Sequence, residues 1–302
     1  MARSSLRLAA LATVALPGTN AVGVRSIEVP GEYDGAEITY ADGSRLIAQA
    51  PTSAIAGASH IAELTLLEEL QHRVDTGALP FTVPEVVGST PLPEGGNLVI
   101  TRPLIGTPLD ISTLRPGPGL TSNIGRAIAA IHELPTGLLE RLEFPIYSAS
   151  DYRERHIVEL DAAGATGLIP PVLLQRWEAF LDDGDLWQFE PVVLHGDLAA
   201  EYLLVNQGRV ATISGWANAR VADPADDLAW LIAAASEEAS ESLLKAYQSS
   251  RTGPVDAGLV DRTMLISELA LARWLQYGLR EGLPEVVTDA TAMLSDLAKA
   301  VA

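Results

Sequence analysis

Val192-Val193-Leu194-His195-Gly196-Asp197-Leu198-Ala199-Ala200-Glu201-Tyr202-Leu203-Leu204-Val205 is the stretch that decides the fold. Two apolar runs too short for helices flank a polar turn that opens on His-Gly-Asp, a strand–loop–strand pattern. Arg209-Val210-Ala211-Thr212-Ile213-Ser214-Gly215-Trp216 follows, a third apolar run closed by a glycine. Then comes Asp223-Pro224-Ala225-Asp226-Asp227-Leu228-Ala229, where acids and a proline precede an apolar helical pattern. That composition starts helices, because the N-terminal turn leaves N–H groups without partners and favours negative charge.

Together these segments resemble the catalytic region of the aminoglycoside and macrolide phosphotransferases, kinases built on the protein-kinase fold. The family pattern runs His-Gly-Asp-Leu-His-Pro-Gly-Asn/His-Leu-Leu-Val, then Ile-Asp-Trp, then Asp-Pro-x-x-Asp-Leu-Ala. His195, Gly196, Asp197, Leu198, Leu203, Leu204, Ile213, Trp216, Asp223, Pro224, Asp227 and Leu228 fit it. Tyr202 stands where the family has a metal-ligating Asn or His, and Gly215 where it has the metal-binding Asp. Arg176-Trp177 and Trp187, ahead of His-Gly-Asp, are similar to the macrolide branch.

The resemblance implies an α+β, bilobal, protein-kinase-like fold. A small N-lobe, residues 1–105, would hold an antiparallel sheet and one main helix; a larger, mostly helical C-lobe, residues 106–302, would carry the catalytic loop and shape the acceptor side. It implies that Asp197 orients an acceptor hydroxyl, with His195 holding the loop and Asp227 accepting backbone N–H bonds from the His195–Asp197 turn. It implies ATP or GTP as the phosphoryl donor.

The chain supports a globular reading. At 302 residues it is long enough for two lobes with cores, with 48% apolar and 20% charged residues. It has no cysteine, so no disulfide and no thiolate site. Its net charge of −19 argues against nucleic acid and anionic membranes as partners, since both are bound through an excess of Lys and Arg. The same charge favours cationic small molecules at long range. Near the N-terminus, Arg3 and Arg7 precede the apolar run Leu8–Leu16. That run is too short to span a bilayer. It reads as an Ala/Leu-rich lobe helix ended by Pro17-Gly18 in preference to a targeting segment, and the protein is expected in the cytoplasm.

Between residues 22 and 50 the pattern is strands, with a hairpin turn at Ala41-Asp42-Gly43-Ser44. The strand after the turn, Arg45 to Gln49, is where the family carries a Lys or Arg that grips the nucleotide phosphates. Gln49 occupies that position by register, and no Lys occurs in residues 1–100. A helix from Ser53 to about Gly77 would bury Ile61, Leu64, Leu67 and Leu70. Glu63 fits the family position that pairs with the strand cation; alternatively it is a solvated acid like Glu68 and Glu69. Strands over 85–88 and 97–101 lead to Arg102-Pro103-Leu104-Ile105-Gly106, a connector where Thr101, Arg102 and Leu104 could meet the base of a nucleotide. Beyond it, Thr121 or Ser122 could cap a helix with Ile124, Ile128 and Ile131 on its apolar stripe, and His132 reads as packing. After the catalytic stretch only helices follow, with Met264, Leu265, Leu269, Leu271 and Leu275 expected in the core.

Phosphoryl transfer on this fold needs a carboxylate at the acceptor, Mg²⁺ on oxygen ligands, and a cation on the phosphates. Asp197 supplies the first. Gln49, Tyr202 and Gly215 depart from the family as two or three independent losses at one site, leaving Mg²⁺ binding doubtful and Glu201 as a possible substitute ligand. Three readings follow. The chain is a pseudokinase, which could act through a protein partner. Or it is an active ATP- or GTP-dependent kinase of a small-molecule hydroxyl with an altered site. Or it is a nucleotide-independent binder of cationic small molecules.

Overall fold

Small and apolar residues in residues 21–51, alternating most clearly in the third strand, build the first layer. In the computed structural model, which describes residues 3–93, 95–253 and 255–301, a helix α1 (Ser5–Ala15) precedes strands β1 (Ala21–Ile27), β2 (Tyr33–Tyr40) and β3 (Arg45–Pro51). Helix α2 (Ala54–Asp75) and strands β4 (Val86–Pro91) and β5 (Asn97–Thr101) complete the lobe. The sheet is antiparallel in the order β1-β2-β3-β5-β4. Alternation sends Leu46, Ala48 and Ala50 of β3 to one face, where they form a core with Leu8 and Ala12 of α1. Ile47 and Gln49 point to the other face. The Ala/Leu-rich N-terminal run is thus a lobe helix packed across the sheet.

Ser53 caps α2 by accepting the N–H of Ala56, which relieves one of the first turn's unpaired donors. The buried face of α2 is Glu63, Leu66, Leu67 and Leu70 with His60. Leu67 and Leu70 are buried as expected and Leu64 is half-buried, whereas Ile61 is 48% exposed, because the face that meets the rest of the molecule is centred on Glu63 and Leu67.

The last strand of the sheet ends at Thr101 and a short β6 (Thr107–Pro108) opens the second lobe. Helices α3 (Leu120–His132), α4 (Gly137–Arg141), α5 (Ala149–Gly164) and α6 (Pro171–Asp182) follow. Strands β7 (Val192–Leu194), β8 (Leu203–Asn206), β9 (Arg209–Ile213) and β10 (Arg220–Ala222) frame the catalytic stretch. Helices α7 (Ala225–Ala234), α8 (Glu237–Ser250), α9 (Leu259–Glu281) and α10 (Pro284–Val301) close the chain. This is a kinase-like fold: an antiparallel sheet lobe on a helical lobe.

Three details differ from the sequence expectation. Thr121 and Ser122 do not cap α3, whose N-cap is Gly119. Their hydroxyls donate to the carbonyls of Arg115 and Gly117 and so fold the Pro/Gly connector back on itself. Met264 is 39% exposed, because α9 buries the stripe of Leu265, Leu269 and Leu275 against α6 and α10. Strand β10 was not foreseen. Three residues carry no periodicity of their own; pairing with β7 makes them a strand. No helix among the described residues is long and apolar enough to cross a membrane.

Candidate active site

The His195–Tyr202 loop runs between β7 and β8, and β10 lies beside β7 with Arg220 opposite Leu194. The turn can form only with glycine at 196. Gly196 has φ +84°, and a Cβ there would lie 2.1 Å from the Asn218 carbonyl oxygen, far inside contact distance.

Asp227, in the first turn of α7, fixes this turn. Its two carboxylate oxygens accept the N–H groups of His195 at 2.8 Å and Gly196 at 2.9 Å. Burial opposes its charge, but hydrogen bonds from His132 and the Gly196 N–H hold its pKa below the usual carboxylate range. Behind it runs a buried relay: Arg251 donates to the Tyr247 hydroxyl at 2.7 Å, Tyr247 meets His132 Nδ1 at 2.8 Å, and His132 Nε2 faces Asp227 at 3.3 Å. His195 is fully buried, and that burial lowers its pKa. Its Nε2 sits 2.8 Å from the Ser214 carbonyl, which can only accept, so Nε2 carries the proton. Nδ1 is left to accept the Asp197 N–H at 3.3 Å. His195 therefore ties two loops together and has no free nitrogen for catalysis.

Asp197 is solvent-accessible at the floor of the interlobe cleft. Surrounding protein raises its pKa, with His195, Asn218 and Arg220 opposing the rise. Asn218 Nδ2 donates to its Oδ2 at 3.2 Å. Arg220, which the sequence reading passed over, bonds the Gly196 carbonyl at 2.9 Å and Asp226 at 2.6 Å. Asp226 also accepts the Tyr152 hydroxyl. The signal for Arg220 was faint: an isolated Arg just before the Asp223–Asp227 acids.

Asp197 stands between two cavities. One, of about 630 Å³, lies under the sheet and is walled by Ile47, Val99 and Leu104 at one side and by Glu63, Tyr202 and Asp197 at the other. The second, about 1630 Å³, lies on the C-lobe side with Tyr152, Arg220 and Trp230. Asp197, Ala217 and Asn218 line both.

Gln49, Glu63, Thr101 and Leu104 all line the first cavity. Arg102 does not: it is exposed, its N–H donates to the Glu85 carbonyl at 3.0 Å and its Nε to the Glu85 carboxylate at 2.8 Å. Pairing next to the β4–β5 ladder turns it away from the cleft, so it is not placed to meet a base. Glu201 is exposed and lines neither cavity, which removes it as a substitute ligand in this arrangement.

Glu63 is buried, unlike exposed Glu68, and its Oε1 accepts the Trp216 N–H at 2.8 Å. Its partner is thus a backbone group of the other lobe. Desolvation pushes its carboxyl up to about 7, against the lowering effect of that bond.

Tyr202 and Gly215 are one feature. Gly215 has φ +83°, and a Cβ there would come within 2.5 Å of Tyr202 Cδ1 and 2.6 Å of Cε1. The phenol ring fills the space a side chain at 215 would need. Its hydroxyl reaches across the cleft toward Gly31, where an added Cβ would lie 3.9 Å from it. The two positions are therefore not independent: with the Tyr202 ring in this place, only glycine fits at 215. Mg²⁺ demands hard oxygen ligands in near-octahedral array. A neutral phenol, held protonated by burial and nearby acids at a pKa of about 12, and a glycine do not provide it.

A family model described as the phosphotransferase enzyme family, APH, matches residues 39–258. A macrolide 2′-phosphotransferase, MphH from Brachybacterium faecium, has a similar structure with TM-score 0.79 and 24% identity, covering 95% of this chain and 97% of that one. The type I macrolide 2′-phosphotransferase superposes with TM-score 0.78 and 24% identity over 97% and 98%. The GDP complex of wild-type aminoglycoside 2′-phosphotransferase-IIIa gives TM-score 0.79 at 16% identity over 98% and 99%. A Bacillus subtilis (strain 168) protein, Uncharacterized protein YcbJ, is 32% identical over 83 residues, a match spanning 27% of this chain and 27% of that protein. With a match over most of its length and the His195–Asp227 turn in place, the chain belongs to the APH phosphotransferase enzyme family.

Proposed function

We propose that this chain is a catalytically impaired member of its family, a pseudokinase that keeps the acceptor-side carboxylate and does not transfer phosphoryl groups at an ordinary kinase rate. The observation that carries this is the Tyr202 ring lying where a ligand at position 215 would sit. Electrostatics points the same way. The cavity that a nucleotide would enter is lined by Glu28, Glu32, Glu63 and Asp197, and no Lys or Arg is among its lining residues. Like charges about 5 Å apart repel by roughly 3 kcal/mol at an effective dielectric constant near 20. Without metal or a cation, a triphosphate meets repulsion of this kind with nothing to offset it, and charge stabilisation is the main thing a kinase supplies.

The test is product formation. Purified protein with ATP or GTP, Mg²⁺ and a panel of macrolides and aminoglycosides should yield no phosphorylated product that depends on Asp197. Product at an ordinary rate, abolished by Asp197→Asn, overturns the reading. A second reading, an active kinase of a small-molecule hydroxyl in the cytoplasm, draws support from Asp197 lying on both cavities, where a base between donor and acceptor belongs. It expects nucleotide binding that tightens with Mg²⁺ or Mn²⁺. We take residues 1–105 and 106–302 as the two lobes in either case.

A further inference from the structure

We propose that the cavity under the sheet is a binding site for an amphipathic organic amine, bound as its ammonium ion. The proposal rests on the reading that this cleft no longer serves a nucleotide triphosphate, and it names what the cleft takes instead.

The cavity's volume of about 630 Å³ falls in the range that encloses small molecules. Its two sides differ in chemistry. Ile47 and Val99, on facing strands β3 and β5, and Leu104 from the connector form an apolar slot. At the other end two phenol rings meet carboxylates. Tyr33 and Tyr202 both approach Gly31, with a Cβ there 3.2 Å from the Tyr33 ring. Glu63 and Asp197 line the same end. An ammonium against aromatic faces is attracted by their quadrupoles, more strongly when water is excluded. Carboxylates beside it add charge-assisted hydrogen bonds.

His60 lies beside the phenol rings. It forms part of the cavity wall, is 5% exposed, and packs edge-on to Tyr33 with ring centroids 4.9 Å apart. Burial lowers its pKa to about 4, so the ring is neutral near pH 7 and brings no positive charge against an ammonium. The Glu63 and Asp197 carboxylates accept N–H groups, which is why the ligand class is a protonated amine: a quaternary ammonium has no N–H to donate.

The test uses 4-phenylbutylamine and its neutral counterpart 4-phenylbutan-1-ol, titrated calorimetrically into the full-length protein at pH 7.5. The amine should bind at least about tenfold tighter than the alcohol, and its affinity should fall as salt rises. Glu63→Gln and Tyr202→Leu should each weaken the amine about tenfold and leave the alcohol within about twofold. Glu154→Gln, in the second cavity, should leave both unchanged. Should Tyr202→Leu not fold, Glu63→Gln carries the comparison, because glutamine keeps an oxygen that can accept the Trp216 N–H. Equal affinity for amine and alcohol overturns the proposal, as does amine binding that ignores Glu63→Gln or is lost in Glu154→Gln. Absence of amine selectivity together with absence of phosphoryl transfer would overturn this inference alone. Phosphoryl transfer that the amine inhibits in competition with ATP would overturn the proposed function and leave the amine site standing.

Discussion

Glu63 and His60 lie on the same buried face of α2 and titrate in opposite senses. Burial raises the Glu63 pKa to about 7 and lowers that of His60 to about 4. For Glu63 the folded state holds a proton that the unfolded chain has released, so stability falls as pH rises between about 4.3, the unfolded value, and 7. For His60 the unfolded chain binds the proton, so stability rises with pH between about 4 and 6.5. Each shift of about 2.5 units corresponds to roughly 3 kcal/mol, and over the shared window the two nearly cancel. Glu63→Gln removes one arm. Urea denaturation should find the variant close to wild type at pH 4 and more stable by up to about 3 kcal/mol at pH 8. A variant destabilised at pH 8 would show that the bond to the Trp216 N–H outweighs the desolvation. The same residue shows how far sequence reached: position 63 was a candidate by motif, but its exposure and its partner were open, because a single acid in a helix has no periodic signal of its own.

At the scale of elements, the loop before β8 and the turn after β9 are fitted to each other. Tyr202 and Gly215 exchange volume across them. Gly215→Asp alone should therefore destabilise the protein, by about 1–3 kcal/mol, since the new side chain enters occupied space at positive φ. Adding Tyr202→Asn empties that space. The double variant should recover most of the loss and, with Gln49→Lys, gain nucleotide binding that strengthens with Mg²⁺. Thermal melts of the single and double variants, closed as a double-mutant cycle, test the coupling; additive effects would show that the two positions are independent. Catalytic-loop support is local by contrast. Asp227 satisfies two N–H groups only 31 and 32 residues away, through a motif that could be read directly.

Across the whole molecule, 39 acids face 20 Lys and Arg. Several arginines of the helical lobe are taken up in ion pairs away from the cleft. Arg262 is fully buried and holds Asp223 at 2.6 Å and Asp256 at 2.6 Å. Arg176 pairs with Glu268, which also accepts the Trp177 indole N–H at 2.7 Å. The Arg-Trp motif is thus a clamp between α6 and α9. The excess of acids is left to repel one another. Raising KCl from about 20 to about 500 mM should raise the melting temperature by several degrees, because screening relieves self-repulsion. A fall on adding salt would mean that paired charges outweigh the net charge.

The sequence by itself determined the two-lobed kinase-like fold, the helices and most strands, and the His195–Asp227 turn. The fold followed from the family resemblance that the His195–Asp227 motifs carry; the helices and strands followed from local periodicity and from glycine and proline. Only the tertiary structure decided where Glu63 points, since its partner Trp216 is 153 residues away. It also decided that Tyr202 and Gly215 share one space, that Arg102 faces away from the cleft, and that no Lys or Arg is among the described residues lining the cavity. Each of these depends on which side chains share a volume, and a sequence read along its length does not contain that distance.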